Sequence, residues 1–292
     1  MFISPVLKQN IPESYKRNLR QFSPHALGLT LKALRKWNDF AKIKTYCMFI
    51  GYPRSGHSLL GQLINAHTNA VIAHERNALK DIKYGYNKYQ LFTLLLNHDY
   101  KFEKNHNRSW TGYNYKIPNS AQGTYSDLKV IGDKKGGRST LILANNPEVF
   151  EQLAKLTKGL KLRVIHHIRN PYDNISTIAQ KADISLENAI DQYFSFVSKV
   201  NSHIKKFEKI PHAAVLNTHH EYLINKSDQT LKKITSFLDL SFSLKYYDSC
   251  NNVIFSKPNK GRNKIIWTNS LIKKVQNEIQ KYSFLLMYNF EK

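Results

Sequence analysis

An apolar run of strand length, Thr45-Tyr46-Cys47-Met48-Phe49-Ile50, meets Gly51-Tyr52-Pro53-Arg54-Ser55-Gly56-His57-Ser58 and passes at once into Leu59-Leu60-Gly61-Gln62-Leu63-Ile64. A strand, a turn built from glycine, proline and serine, and a helix follow one another with no room for anything else. Such a unit aims backbone N–H groups and the positive end of a helix at one place, which makes a cradle for an anion such as phosphate.

Gly51 and Gly56 stand at the GxxxxG spacing of a Walker A loop, and Ser58 takes its Ser/Thr position. The Walker lysine position holds His57 instead, and the fixed cation sits inside the loop at Arg54. A nucleoside-triphosphate enzyme uses that lysine to reach the β/γ-phosphates and the hydroxyl to hold magnesium. The loop therefore reads as phosphate-binding with its cation moved. A P-loop nucleotide kinase is the alternative enzyme reading, and an ordinary strand-to-helix turn is the reading without function.

Strand patterns recur at Ala70–Ala73, Leu128–Gly132, Leu162–Ile168 and Ala213–Asn217. Helical patterns lie between them, around Tyr89–Leu96, Pro147–Thr157 and Asp228–Leu238, with Ser185 placed to cap a long helix from Leu186 to about Phe207 and a final amphipathic helix over Leu271–Leu286. This alternation predicts a single α/β domain over residues 45–292, with a central parallel sheet of about five strands and helices on both faces, in a P-loop-like arrangement. Residues 1–44 read as a basic extension with an amphipathic helix near Leu27–Phe40. Residues 97–126 read as an insert near the site, rich in Lys, Asn and Tyr. Four polar clusters, Tyr52–Ser58, His74–Arg76, Asp133–Arg138 and Arg169–Thr177, all follow strands, where open α/β sheets collect their chemistry.

Of the 292 residues, 44 are Lys or Arg and 21 Asp or Glu, a formal net charge of +23. Attraction to polyanions follows, without a choice among nucleotides, acidic glycans, acidic peptides, nucleic acid and anionic membrane. Two cysteines, Cys47 and Cys250, make no disulfide framework, and no zinc-type Cys/His spacing occurs. With no signal-peptide core at the N-terminus and no apolar stretch of about 18 residues, the expectation is a soluble, cytoplasmic protein.

Pro53-Arg54-Ser55-Gly56-His57-Ser58 resembles the 5′-phosphosulfate loop P-[KR]-S-G-[TS]-[TS] of the sulfotransferases that use 3′-phosphoadenosine 5′-phosphosulfate (PAPS), departing from it only at His57. The arginine form is similar to that of tyrosylprotein and carbohydrate sulfotransferases. Arg169 followed eight residues later by Thr177, with Ser176 one short, is similar to the family's 3′-phosphate motif. Lys257-Pro258-Asn259-Lys260-Gly261-Arg262 with Trp267 looks like its late basic loop.

The resemblance implies transfer of a sulfonate from PAPS to a hydroxyl acceptor without metal. Arg54, Ser55, Gly56, His57 and Ser58 would hold the 5′-phosphate, with Arg54 also on the bridging oxygen. Arg169, Thr177, Ser176 and Arg262 would hold the 3′-phosphate. Lys134 aligns with the lysine that meets the transferring sulfonate, with Lys135 as competitor. Glu75, twenty-one residues after Arg54, takes the place of the base, with His74 as the alternative. The basic balance suits an acidic glycan or peptide as acceptor, a glycan or tyrosyl/phenolic hydroxyl being favoured over a lipid. No specific nucleic acid is implied. A non-catalytic polyanion-binding protein is the competing class.

Overall fold

The computed structural model describes residues 23–105, 114 and 116–291. The first 22 residues of the basic extension, and residues 106–113 and 115 of the insert, lie outside the described residues. In chain order the elements are α1 (Pro24–Arg35), α2 (Trp37–Ala41), β1 (Thr45–Ile50), α3 (His57–Asn65), β2 (Ala70–His74), α4 (Ala78–Lys83), α5 (Lys88–Lys104) and β3 (Val130–Lys134). There follow α6 (Gly136–Asn145), α7 (Glu148–Leu156), β4 (Lys161–Ile168), α8 (Pro171–Ala182), α9 (Leu186–Phe207) and β5 (Ala213–His219). The chain ends with α10 (His220–Asn225), α11 (Ser227–Phe237), α12 (Leu244–Asn251) and α13 (Asn269–Ile279).

The five strands form one parallel sheet in the order β2-β3-β1-β4-β5. Strand β1 is buried along its whole length and feeds two cores by alternation. Tyr46, Met48 and Ile50 pack with Val71, Ile131 and Val164 under Phe92 of α5 and Tyr193 and Val197 of α9. Cys47 and Phe49 face the other way, toward Leu60 and Leu63 of α3 and Leu231 and Ile234 of α11. The chain leaves β1 for the far edge at β2, returns through β3, and crosses to β4 on the other side. The topological switch, and the crevice that comes with it, therefore lies at the carboxyl end of β1.

The expected single sheet, its five strands and its helices on both faces are the observed ones, and Ser185 caps α9 by accepting from Asn188 N. Several boundaries differ: the final helix stops at Ile279 rather than Leu286, and the helix expected near Leu27–Phe40 is the two helices α1 and α2. Strand β3 runs two residues further than its apolar core predicts, because its terminal charges are satisfied in place. Asp133 accepts from the backbone N–H of Arg76 and Ala78 at 2.9 and 2.7 Å, and Lys134 finds a carboxylate. Helix α6 begins with Gly136-Gly137, which reads as a break in sequence but is tolerated at a helix start. Helix α5 extends through Lys104 because its polar C-terminal half carries buried groups inward, among them Asp99, bonded by Asn65 Nδ2 at 2.7 Å.

Burial pushes the Asp99 carboxyl up to about 7. In the unfolded chain it ionises near ~3.9, so its contribution to stability falls as pH rises from about 4 to about 7. Asp99→Asn keeps an acceptor for Asn65 without the charge. It is expected to raise Tm at pH 8 and leave it unchanged at pH 4; the same Tm difference at both pH values would contradict the assignment.

Candidate active site

The loop after β1 is held by its own small residues. Thr140 of α6 accepts from Gly51 N at 2.9 Å and donates to Gly51 O at 2.8 Å. His57 fills the space behind the loop: a Cβ on Gly51 would come within 2.6 Å of its Nε2, and one on Gly136 within 2.7 Å of its Cε1. Its Nε2 lies 3.2 Å from Ile50 O and its Nδ1 2.8 Å from Ser55 Oγ. A carbonyl carries no proton, so Nε2 holds the proton and donates. Burial, reinforced by the Lys134 charge, lowers the His57 pKa to about 3 and keeps the ring neutral. The residue that departs from the family pattern is thus a wedge under the loop. Ser55 is also turned inward, its hydroxyl 3.0 Å from Tyr52 O.

Arg54 and Glu75 both occupy left-handed backbone, at φ 68° and 60°. A non-glycine residue there costs of order 1–3 kcal/mol, and both line one cleft from the ends of β1 and β2.

Between these ends sits a three-charge cluster. Lys134 Nζ donates to Glu75 Oε1 at 2.9 Å and to Ser58 Oγ at 2.8 Å, while Lys135 Nζ donates to Glu75 Oε2 at 2.8 Å. Both competing lysines therefore share the one carboxylate. Burial alone would raise the Glu75 pKa, but the two ammonium groups, Lys134 foremost, outweigh it and hold the carboxyl at about 2. Burial pushes the Lys134 pKa down against the pull of Glu75. The lysine stem crosses α3 where the helix has no side chain, since a Cβ on Gly61 would lie 2.5 Å from Lys134 Cγ.

His74 is arranged differently. Ile117 N donates to Gln122 Oε1 at 2.7 Å, Gln122 Nε2 to Gln62 Oε1 at 2.6 Å, and Gln62 Nε2 to His74 Nδ1 at 3.3 Å. The backbone N–H at the start of this chain fixes the sense of each amide, so His74 carries its proton on Nε2. Its ring stacks on Phe102 with centroids 4.3 Å apart, and burial lowers its pKa to about 3. Its one basic nitrogen is thus occupied by Gln62, as both Glu75 oxygens are by the lysines.

Across the cleft, Arg169 NH1 donates to Thr177 Oγ1 at 3.1 Å and to Arg54 O at 3.3 Å, and its NH2 to Asn259 O at 2.6 Å. The second anion motif is thereby tied to the first. Gly261 passes so close that a Cβ would meet Asp173 O at 3.0 Å and Thr177 Oγ1 at 3.1 Å. Two expected residues point elsewhere. Ser176 Oγ donates to Tyr172 O and accepts from Trp267 Nε1 at 3.1 Å inside the core. Arg262 is buried, with Nε 3.2 Å from Asp173 Oδ1 and NH1 donating to Phe290 O at 2.7 Å. Both pin the C-terminal segment behind the site, the hydroxyl because it falls on the inner face of α8 and the guanidinium because Asp173 claims it.

The cleft encloses about 870 Å³ and is lined by Arg54, Gly56, Ser58, His74, Glu75, Lys134, Arg169 and Thr177, so sequence-separated clusters meet in one place. It also exposes two residues that sequence reading missed, His220 and Lys181, and Lys116 of the insert expected near the site. His220 directly follows β5, where the strand-end rule would have found it, and Lys181 sits one turn beyond Thr177 on α8. Among the described residues no group of three His, Cys, Asp or Glu side chains is placed to hold a metal ion, and no helix is long and apolar enough to cross a membrane.

The model of the sulfotransferase family matches residues 48–243, from within β1 to the residue before α12, leaving the Lys257–Arg262 loop outside the match. Among solved structures, sulfotransferase STF9 from Mycobacterium avium is 10% identical and aligns over 90% of this chain and 82% of its own, with a TM-score of 0.48. The sulfotransferase domain from the Synechococcus PCC 7002 olefin synthase is 12% identical over 79% and 83%, with a TM-score of 0.41. Mouse sulfotransferase SULT7A1, solved in complex with PAP, is 15% identical over 84% and 87%, with a TM-score of 0.41. No curated protein sequence matches the chain.

Arg54→Gly removes the cation and relieves the left-handed backbone. Stability is expected to rise by about 1 kcal/mol, while affinity for phosphate-bearing ligands in the cleft falls. A lower stability in denaturant titration would contradict the strain assignment.

Proposed function

Since the chain belongs to the sulfotransferase family, we propose that it uses PAPS as the sulfonate donor, passes the group to a hydroxyl acceptor and releases 3′,5′-ADP. The observation that carries this reading is the Arg169–Thr177 pair, a second cation–hydroxyl site bonded to the backbone of the phosphate loop in the same cleft. A nucleoside triphosphate has no 3′-phosphate to offer it. PAPS supplies an activated sulfonate whose bridging oxygen becomes a phosphate oxygen when the bond to sulfur breaks.

In this account Arg54, Ser58 and the N–H groups opening α3 hold the 5′-phosphate, while Arg169 and Thr177, with Lys181 and Lys257 on the same wall, hold the 3′-phosphate. Arg54 stays protonated throughout and stabilises the negative charge that builds on the bridging oxygen. Lys134 faces the transferring sulfonate. Glu75 accepts the acceptor's proton as the new O–S bond forms. With both lysines on it Glu75 is a weak base; an anion that draws Lys134 toward itself raises the Glu75 pKa at the moment the base is needed. The catalytic domain spans 45–292. Residues Asn114, Lys116 and Ile117 of the insert line the acceptor side, where the basic wall suits an acidic glycan or peptide hydroxyl.

Calorimetry tests the donor: 3′,5′-ADP is expected to bind in preference to ATP with magnesium, and the reverse preference would replace this reading with the kinase. The base is tested by Glu75→Gln, expected to bind 3′,5′-ADP as the wild type does while release of 3′,5′-ADP from PAPS, with a panel of phenol and glycan acceptors, slows by ~10²-fold or more. Retained turnover would move the base elsewhere.

A further inference from the structure

Helix α1 has two unlike sides. Ala26, Leu29 and Ala33 are buried, and Gln90 of α5 donates to Ala26 O and to Thr30 Oγ1. On the outer side Leu27, Leu31 and Leu34, spaced i, i+4 and i+7, are 53%, 63% and 61% exposed, and Trp37 just beyond is 50% exposed. Gly28, on the same side, faces open space. A water-facing helix surface is ordinarily polar, so three large leucines in one stripe with a tryptophan at its end mark a contact surface. Lys32 and Arg35 stand exposed beside the stripe, while Lys36 is turned to Tyr125 Oη at 3.2 Å and Asp39 at 3.4 Å; the three cations line a cavity of about 330 Å³ with Phe40, Leu96 and Tyr100.

Charge decides what covers this face. Residues 1–22 of the chain carry Lys8, Lys16, Arg17 and Arg20 against Glu13 alone, and a second copy would bring another formal +23. Both repel the basic flank. An anionic surface with an apolar interior meets both halves of the pattern, and the chain's basic balance adds long-range attraction. We infer that α1 and Trp37 lie in the surface plane of an anionic lipid bilayer, the leucines at the acyl boundary and Lys32 and Arg35 among the lipid phosphates. With no spanning helix among the described residues, this is attachment in the interface. It is independent of the sulfonate-transfer reading.

The test is sedimentation of the full chain with vesicles of phosphatidylcholine alone and with about a third phosphatidylglycerol. Partition into the anionic vesicles is expected, weak binding to the neutral ones, and at least a ~10-fold loss in Leu31→Glu/Leu34→Glu and in Lys32→Glu/Arg35→Glu. Brominated lipid should quench a fluorescence component that Trp37→Phe removes. Circular dichroism and Tm confirm that the variants stay folded, as exposed positions allow. No partition, or equal partition by the leucine variant, would overturn the inference. So would a leucine variant that changes only the mass of the particle in solution, which would make this face a contact between copies.

Discussion

Burying the Lys134 ammonium group at the end of a central strand is the constraint around which the site is arranged. A lone buried charge costs several kcal/mol, so something anionic must stand beside it. In the open cleft that partner is Glu75 at 2.9 Å, helped by Ser58 at 2.8 Å. The same position suits the negative charge of a transferring group, and exchanging one partner for the other changes the basicity of Glu75. In the proposed mechanism, binding of the donor and readiness of Glu75 as the base would then be one event. Glu75 is delivered to this position by left-handed backbone at the end of β2, and Lys134 by the gap that Gly61 leaves in α3.

The loop obeys a related logic. Its hydroxyl at Ser55 and its unusual His57 turn inward, and the imidazole occupies the volume that Gly51 and Gly136 leave open. The loop residues lining the cleft are Tyr52, Pro53, Arg54, Gly56, His57 and Ser58, with the opening of a helix. A histidine in place of a hydroxyl residue thus shifts the loop's stability onto packing beneath it. His167 lies behind, 6.1 Å from His57 and 5.6 Å from His220 between ring centroids. Burial keeps all three rings neutral, so the wall behind the anion cradle brings no titrating charge to it at neutral pH.

The sheet, its parallel sense and the meeting of polar clusters at strand ends were legible in sequence, because apolar runs broken by glycine and charge leave few ways to fold. The Arg169–Thr177 pair was legible only through its resemblance to the family's 3′-phosphate motif, since Arg169 stands before α8 and Thr177 inside it. The direction of individual side chains was not. Ser176 and Thr177 are neighbours in sequence, yet one bonds Trp267 in the core and the other Arg169 in the cleft. Arg262 lies in a basic loop as expected, but Asp173 and the C-terminal backbone claim it, a long-range pairing that no local pattern records. The Gln62–Gln122 relay that settles the His74 tautomer joins residues 60 apart. Such contacts follow from packing, and packing is what sequence periodicity does not contain.

The most direct measurement is a calorimetric cycle of wild type and Arg169→Ala against 3′,5′-ADP and 5′-AMP, which differ only in the 3′-phosphate. The account predicts that the variant loses affinity for 3′,5′-ADP, by ~10-fold or more for a charge-assisted contact of about 1.5–3 kcal/mol, and binds 5′-AMP as the wild type does. An equal loss for both nucleotides, or no loss for either, would contradict the assignment of the second anion site and the PAPS chemistry built on it.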